Sequence, residues 1–133
     1  MKQITKELIK VAPSLLSADF ANMARDIKEL ERAGADLLHC DVMDGVFVPN
    51  ITFGIKMIED IRKITSLKLD VHLMIVEPQK YIERFAKAGA DIITIHIEAA
   101  NNAVEAIQQI KSFGVSAGIV LNPETPVSAI KDV

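Results

Sequence analysis

Residues 33–38 read Ala-Gly-Ala-Asp-Leu-Leu, and residues 88–93 repeat the pattern as Ala-Gly-Ala-Asp-Ile-Ile, 55 positions later. In each copy a glycine stands where a helix is expected to end, and an apolar run typical of a strand follows it. The repeat therefore marks a recurring unit in which a helix closes and a strand begins.

On both sides of this repeat the chain alternates between two hydrophobic periods. Short β-branched runs are typical of buried strands, and longer segments with apolar residues three and four positions apart are typical of amphipathic helices. The predicted strands are Val11–Leu16, Leu37–Val42, Lys68–Met74, Ile92–Ile97 and Val115–Leu121. The predicted helices are Phe20–Ala33, Ile55–Ile64, Gln79–Ala88 and Ala103–Phe113, with a fifth beginning near Val127. This alternation predicts an α/β protein with a parallel sheet.

Residues that favour helix ends lie at several of these boundaries. Ser17 and Asp19 can cap the first helix, and Pro78 suits the first turn of the third. The glycines that stand where a left-handed residue closes a helix are Gly34, Gly89 and Gly114.

Two architectures are built from repeated βα units: the closed (β/α) barrel of TIM type and the doubly wound sheet. The periodicity alone does not separate them. The sequence contains no G-x-G-x-x-G motif and no P-loop motif, which removes the main support for a nucleotide-binding sheet. A full barrel takes about 250 residues. We therefore expect the 133 residues to form a single incomplete barrel domain over residues 1–133, with about five of the eight βα units.

The composition limits the functional classes. Half of the residues are hydrophobic and 25% are charged, which suits one buried core, and the net charge of −3 does not favour binding to nucleic acid. The single cysteine, Cys40, cannot form an internal disulfide. No apolar stretch approaches the roughly 18 residues of a membrane span. We expect a cytoplasmic protein in a reducing environment, without a membrane or nucleic-acid partner.

Three polar residues are predicted to lie close together. His39 and Asp41 are two positions apart in one predicted strand, so their side chains share a face, and His72 has the equivalent place in the next strand. Active sites of such barrels lie at the carboxyl ends of the strands. Two imidazoles and a carboxylate suit a divalent metal ion. The spacing alone leaves open whether they bind a metal or pair with other polar groups inside the barrel.

Three longer segments carry a resemblance to a known family. They are residues 12–20 (APSLLSADF), 39–50 (HCDVMDGVFVPN) and 69–74 (LDVHLM). Residues 88–91 (AGAD) and 118–123 (GIVLNP) continue the match in the same order. Together these segments resemble consecutive signature segments of ribulose-phosphate 3-epimerases, over nearly the whole chain. The resemblance implies a TIM-type, ribulose-phosphate-binding barrel.

By this resemblance His39, Asp41 and His72 would bind one divalent metal ion, which could be Zn²⁺, Fe²⁺, Mn²⁺ or Co²⁺. Asp41 would also be one of two catalytic acid/base groups. The residues that would contact the substrate are Ser14, Met43, His72 and Met74.

The implied reaction is the interconversion of D-ribulose 5-phosphate and D-xylulose 5-phosphate in the pentose phosphate pathway. Inversion at C3 removes a proton next to a carbonyl, passes through an ene-diolate and returns a proton to the opposite face. A divalent ion on the C2 and C3 oxygens would stabilise the negative charge. The family has its second catalytic aspartate and its phosphate-binding loops on later βα units, so we expect the 133-residue chain by itself to be impaired.

Other polar residues near the strand ends favour a structural interpretation. We expect His96 to be a hydrogen-bonded interior residue rather than a metal ligand, and Cys40 to pack against the helices rather than act as a nucleophile. Asp70 shares the face of His72 one step deeper, where it can hydrogen-bond a metal ligand. The loop residues 44–50 would line the mouth of the barrel or serve only to form a turn.

Three alternatives remain beside this prediction. A sibling epimerase acting on allulose 6-phosphate would share the metal and proton chemistry. A decarboxylase and synthase branch of phosphate-binding barrels carries Asp-x-Lys where this chain has Asp70-Val71-His72, which favours the epimerase. A non-catalytic half-barrel would expose strand edges and apolar surface that another copy can cover. We expect a small sugar phosphate as the ligand and a homo-oligomer as the assembly.

Overall fold

Four parallel strands form one sheet in the computed structural model, which describes residues 9–133. The strands are β1 (Leu37–Met43), β2 (Lys68–Met74), β3 (Ile92–His96) and β4 (Ser116–Val120), and each pairs with the next. The helices are α1 (Met23–Ala33), α2 (Ile55–Ile64), α3 (Ile82–Ala88) and α4 (Ala103–Ser112). Short 3₁₀ helices occupy Leu15–Ser17, Phe20–Asn22, Pro78–Lys80 and Val127–Ile130. Parallel strands joined by crossover helices form part of a (β/α) barrel, which confirms the predicted class. Residues 1–8 of the predicted domain lie outside the described residues.

The first predicted strand, Val11–Leu16, is wrong over most of its length. Only Ser14 within it forms a bridge, to His39 of β1. Pro13 has no N–H to donate to a neighbouring strand, although its carbonyl accepts a hydrogen bond from the His39 N–H at 2.9 Å. From residue 15 the chain closes into a 3₁₀ turn capped by the Ser14 hydroxyl. This segment therefore contacts β1 through one bridge and two backbone hydrogen bonds, from the Leu37 and His39 N–H groups, rather than as a fifth strand.

The helix boundaries also differ from the prediction in places. The first helix is divided, because Asp19 rather than Ser17 caps a 3₁₀ turn that precedes α1. Pro78 opens a second 3₁₀ turn, so α3 begins at Ile82. The segment that begins at Val127 is a 3₁₀ helix as well. These tight turns satisfy backbone groups at helix ends that a regular α-helix leaves free.

The repeated Ala-Gly-Ala-Asp segments make the same contacts twice. The glycine of each copy has a left-handed backbone, with φ of 85° and 111°, as predicted for a residue that closes a helix. The Asp36 carboxylate accepts a hydrogen bond from the Val11 N–H at 2.7 Å, and the Asp91 carboxylate accepts one from the Leu69 N–H at 2.9 Å. The backbone N–H of each aspartate donates in return to the carbonyl of the same partner, at 3.0 Å. Each copy thus fastens the start of one sheet segment to the start of its neighbour.

The side chains of the strands alternate between two faces of the sheet. One face packs against the helices, and its buried members are Leu38, Cys40, Val42, Leu69, Val71, Leu73, Ile93 and Ile95. The helix residues that complete this core include Ile27, Ile58, Ile61, Ile82, Phe85 and Ile110. Burial of apolar surface is worth about 25 cal/mol per Å², so this layer holds the sheet to its helices. In residues 9–133, no helix is long and apolar enough to cross a membrane.

The opposite face carries the polar side chains of β1 and β2. In the parallel register of these strands, Asp41 lies opposite His72, and His39 lies opposite Asp70. Residues two apart in a strand share a face, so all four side chains point to the same side. The register therefore brings the predicted metal ligands to one edge of the sheet.

We expect Asp91→Ala to lower the free energy of unfolding by about 1–3 kcal/mol. The change leaves the Leu69 N–H without its acceptor and removes the carboxylate that lies 2.9 Å from the Arg62 guanidinium. The matched control is Asp60→Ala, which removes exposed ion pairs with lysines of α2 and should cost no more than about 1 kcal/mol. Urea unfolding followed by circular dichroism measures both variants. Equal losses would contradict the role assigned to the repeat.

Candidate metal and substrate site

Two imidazoles and one carboxylate form a cluster at the carboxyl ends of β1 and β2. The Oδ1 atom of Asp41 lies 3.0 Å from Nε2 of His39 and 3.1 Å from Nδ1 of His72. One ligand atom from each residue lies within 4.8 Å of the other two. All three side chains are partly buried. The structure thus brings together the three residues that the sequence places on one face.

Asp41 is held by two further residues, Ser14 and Thr52. The Ser14 hydroxyl donates a hydrogen bond to Oδ2 of Asp41 at 3.0 Å, which places the only bridged residue of the first segment beside the cluster. The Thr52 hydroxyl donates to the Asp41 carbonyl at 2.6 Å and accepts from the Met43 N–H at 3.1 Å. Thr52 was not predicted from the sequence, because it lies in a loop and acts only on the backbone. Together these contacts fix both the carboxylate and the strand that carries it.

Asp70 supports His39 from the far side of its ring. Oδ2 of Asp70 lies 2.8 Å from Nδ1 of His39, which agrees with the predicted hydrogen bond to a ligand. This hydrogen bond is the main cause that raises the pKa of His39; the negative charges of Asp41 and Asp70 add to it, and partial burial opposes it. With its Nδ1 proton directed to Asp70, His39 turns Nε2 toward Asp41.

His72 has a polar partner at each of its two ring nitrogens. Its Nδ1 faces Asp41, and its Nε2 lies 2.8 Å from Nε2 of His96. Burial lowers the pKa of His72, and repulsion from the other two histidines adds to the effect, while the Asp41 carboxylate opposes it. His96 is 5% exposed and lies against His72 rather than among the three clustered ligand atoms. The neutral form of His72, which binds metals, is therefore favoured.

The donor set fits a divalent cation of borderline softness. Imidazole nitrogen and carboxylate oxygen are the ligands that Zn²⁺, Fe²⁺, Mn²⁺ and Co²⁺ share. Two imidazole nitrogens converge on the single Oδ1 atom of Asp41, so without a cation both must carry protons. With a cation the same nitrogens offer it their lone pairs. The far nitrogens of both rings already have partners, as is usual for metal-binding histidines.

Two methionines lie on the same face, one step beyond the cluster. Met43 and Met74 are directly opposite each other in the register of β1 and β2. Met74 is buried, and Met43 is half-buried. A pair of flexible, polarisable thioethers at this position forms an apolar border to the polar cluster.

The loop after β1 is shaped by its own turn residues. One Asp44 carboxylate oxygen accepts hydrogen bonds from the Val46 and Phe47 N–H groups, and the other accepts from the Val76 N–H at 2.8 Å. Burial acts to raise the pKa of Asp44, but these three backbone donors together lower it. Gly45 has a φ of 74°, and a Cβ there would lie 2.7 Å from the Ile51 side chain. Asp44 thus ties the loops after β1 and β2 together at the mouth.

A separate cleft of about 390 Å³ lies beside this loop. Met43 and Thr52 border it, but none of His39, Asp41 and His72 does. Its lining is mainly apolar, and it is separate from the polar cluster.

Comparison with known families agrees with the geometry of the site. Residues 10–133 match the family model of the Ribulose-phosphate 3 epimerase family. The chain belongs to the ribulose-phosphate 3-epimerase family. The match spans every described strand and all three clustered residues.

Individual relatives agree with this membership. The chain is 59% identical to the ribulose-phosphate 3-epimerase of Bacillus subtilis (strain 168), a match that covers 95% of this chain and 58% of the relative. It is 54% identical to the enzyme of the same name from Synechocystis sp., covering 94% of this chain and 55% of the relative. The chain is 50% identical to the chloroplastic ribulose-5-phosphate-3-epimerase of Arabidopsis thaliana, a match that covers 98% of this chain and 47% of the relative. The chain thus spans about half the length of these relatives.

Solved structures of low identity show the same fold. An N-succinyl Arg/Lys racemase from Bacillus cereus superposes with a TM-score of 0.68 at 16% identity, over 92% of this chain and 32% of that one. An orotidine 5'-monophosphate decarboxylase from Methanocaldococcus jannaschii superposes with a TM-score of 0.60 at 17% identity. This match covers 92% of this chain and 56% of the decarboxylase. These likenesses concern the barrel architecture.

We expect the Cys40 thiol of the folded chain to be almost inert to a thiol reagent such as Ellman's reagent. Burial raises its pKa to about 12, the carboxylates of Asp70 and Asp41 add to the effect, and the side chain is 0% exposed. Only the thiolate reacts. The reaction rate, followed by absorbance, should be very low in buffer and high in urea. Rapid labelling of the folded chain would contradict the placement of this residue in the core.

Proposed function

We propose that this protein is a ribulose-phosphate 3-epimerase that interconverts D-ribulose 5-phosphate and D-xylulose 5-phosphate. The observation that carries the proposal is the cluster of His39, Asp41 and His72 at the carboxyl ends of neighbouring strands, in a chain of this family. We further propose that the reaction serves carbohydrate metabolism through the pentose phosphate pathway, in the cytoplasm.

One divalent metal ion would be held by Nε2 of His39, the Asp41 carboxylate and Nδ1 of His72. These atoms converge in the structure, and the outer nitrogens of both rings point away from the cluster to Asp70 and His96. Such an ion would supply Lewis-acid stabilisation of the negative charge that develops on the substrate oxygens. Zn²⁺, Fe²⁺, Mn²⁺ and Co²⁺ all suit this donor set.

Asp41 would remove or return the proton at C3 on one face of the substrate. Its Oδ2 atom is directed away from the two imidazoles, so this oxygen is the one available to take a proton. The Ser14 hydroxyl donates to Oδ2 in the free protein and would turn to a substrate hydroxyl when the sugar binds. Thr52 holds the Asp41 backbone in place, which keeps the carboxylate oriented through the proton transfer.

Met43 and Met74 would form an apolar border beside the reacting carbon. They lie opposite each other, one step beyond Asp41 and His72 on the same face. Thioether sulfur accepts hydrogen bonds weakly, so such a wall excludes water without competing for the proton. Exclusion of water strengthens the electrostatic stabilisation of the ene-diolate.

The second proton carrier and the phosphate site are proposed to belong to later βα units, as the family resemblance implies. The 133 residues correspond to about half of the curated relatives. Asp41 alone can remove a proton and return it to the same face. We therefore propose that the 133-residue chain by itself exchanges the C3 hydrogen faster than it inverts C3, and that its turnover is far below that of the relatives.

A combined metal-binding and exchange experiment tests this proposal. We expect calorimetric titration to show one Zn²⁺ or Mn²⁺ per metal-free chain, with His72→Ala losing more affinity than the roughly 10–100-fold that loss of a supporting contact costs. In deuterium oxide, NMR should show deuterium entering C3 of D-ribulose 5-phosphate. Asp41→Asn should abolish this exchange, because it removes the proton acceptor.

Asp44→Asn is the matched control, since Asp44 is a nearby carboxylate that binds only backbone groups. It should keep both metal binding and exchange. The Bacillus subtilis relative provides the reference for full turnover. Absence of metal binding together with absence of exchange would contradict the proposed activity, and turnover equal to that of the relative would contradict the proposed impairment.

We also propose that the chain self-associates. Among the described strands, β4 pairs only with β3, and the side chains of Ala117 and Ile119 remain half-buried. An unpaired strand edge with apolar neighbours recruits further strands. Sedimentation velocity should show dimers or larger species whose share grows with concentration. A monomer at every concentration would contradict this expectation.

A further inference from the structure

The row of side chains that contains His72 continues across the sheet. In the parallel register His72 of β2 lies opposite Thr94 of β3, and Thr94 lies opposite Gly118 of β4. The two neighbours of Thr94 within β3, Ile93 and Ile95, are buried against the helices, so Thr94 points to the other face of the sheet. Thr94 therefore shares a face with the proposed metal ligands and stands in the strand next to His72.

The Thr94 hydroxyl has no hydrogen-bond partner within residues 9–133. The other threonines of this part of the chain are Thr52, Thr65 and Thr125, and each of their hydroxyls donates to a carbonyl or a carboxylate. The Thr94 side chain is half-buried rather than sealed in the core. A hydroxyl can donate one hydrogen bond and accept two. Thr94 thus presents an unused polar group on the face that carries the candidate site.

Gly118 determines the direction in which this hydroxyl points. A Cβ at Gly118 would lie 2.7 Å from Cγ2 and 3.6 Å from Cβ of Thr94, with no other atom in contact. The Thr94 methyl group therefore occupies the space above Gly118, and the hydroxyl is turned away from it. A β-branched side chain has few χ1 rotamers, so seating the methyl group also fixes the hydroxyl.

The missing side chain at Gly118 is needed for this contact rather than for the backbone. The glycines with a left-handed backbone are Gly34, Gly45, Gly89 and Gly114, and Gly118 is not among them. An alanine can adopt such a backbone without strain. Its methyl group would nevertheless collide with that of Thr94.

We propose that Thr94 binds a hydroxyl group of the sugar phosphate next to the metal ion, and that Gly118 is a positioning residue which directs the Thr94 hydroxyl toward it. This inference rests on the proposed epimerase function. The metal ion would hold the C2 and C3 oxygens of D-ribulose 5-phosphate, and the sugar has further hydroxyls at C1 and C4. A neutral hydroxyl suits one of these, because it donates and accepts without adding charge beside the cation.

Thr94→Val tests the inference, because it removes the hydroxyl and keeps the shape of the side chain. The measurement is the exchange of the C3 hydrogen in deuterium oxide by the zinc-loaded chain, followed by NMR at increasing concentrations of D-ribulose 5-phosphate. We expect KM to rise roughly 3–10-fold, as the loss of one neutral hydrogen bond implies. The kcat of exchange should stay unchanged, since this bond is present before and during proton transfer. Zinc affinity, measured by calorimetry, should also stay unchanged.

A rescue experiment tests the role of Gly118. Gly118→Ala should raise KM, because its Cβ forces the Thr94 methyl group to move and turns the hydroxyl with it. Thr94→Ser removes that methyl group and keeps the hydroxyl. KM of the double variant Gly118→Ala/Thr94→Ser should therefore be lower than KM of Gly118→Ala alone. Effects that simply add would contradict the positioning role.

Thr65→Val is the matched control, since it makes the same change at the other end of the sheet. The Thr65 hydroxyl donates to the Glu31 carboxylate and accepts from the Leu67 N–H at 3.1 Å. This control should lower the free energy of unfolding and leave KM as it is. Urea unfolding establishes that each variant is folded.

The outcomes distinguish this inference from the proposed function. A zinc-loaded wild-type chain that does not exchange the C3 hydrogen would overturn the proposed function and, with it, this inference. Exchange by the wild type with an unchanged KM in Thr94→Val would overturn the inference alone. A rise in KM accompanied by an equal loss of zinc affinity would do the same, because it would show a general disturbance of the site.

Discussion

The candidate site depends on the parallel register between β1 and β2. This register sets Asp41 opposite His72 and His39 opposite Asp70, and the side chains of one face then meet at the carboxyl ends of the strands. A slip of one residue would turn the polar face toward the helices and the apolar face toward the interior. The apolar layer that packs against the helices therefore fixes the chemistry on the other side of the sheet. The same strand register therefore determines both the apolar core and the polar cluster.

A polar cluster inside a barrel is less costly to bury when most of its groups have hydrogen-bond partners. Asp41 has partners in Ser14 and two imidazoles, and one oxygen of Asp70 binds the outer nitrogen of the His39 ring. These contacts also reduce the freedom of the side chains before any ligand binds. The same hydrogen bonds that make burial tolerable thus preorganise the site, so stability and function are served by one network.

The fold and the cluster were largely predictable from the sequence, because both follow from periodicity. A period of two places His39 and Asp41 on one face, and parallel strands bring His72 beside them. The segment Val11–Leu16 was predicted wrongly, since its apolar pattern resembles a strand while Pro13 and the 3₁₀ turn after it limit pairing. Side-chain contacts between distant elements have no local signal. The contacts of Thr52 with Asp41 and of His96 with His72 therefore became visible only in the structure.

The aspartates at the two ends of the sheet have different partners, as the repeated Ala-Gly-Ala-Asp segment illustrates. At the amino ends, Asp36 and Asp91 bind backbone groups of the neighbouring segment and tie the strand starts together. At the carboxyl ends, Asp41 binds imidazoles and Asp44 binds loop backbone. At both ends of the sheet most of these carboxylates accept from backbone N–H groups, and Asp41 differs because its carboxylate contacts only side chains. The proposed proton transfer needs such a carboxylate, because an oxygen bound by backbone N–H groups is less free to exchange its partner for a substrate.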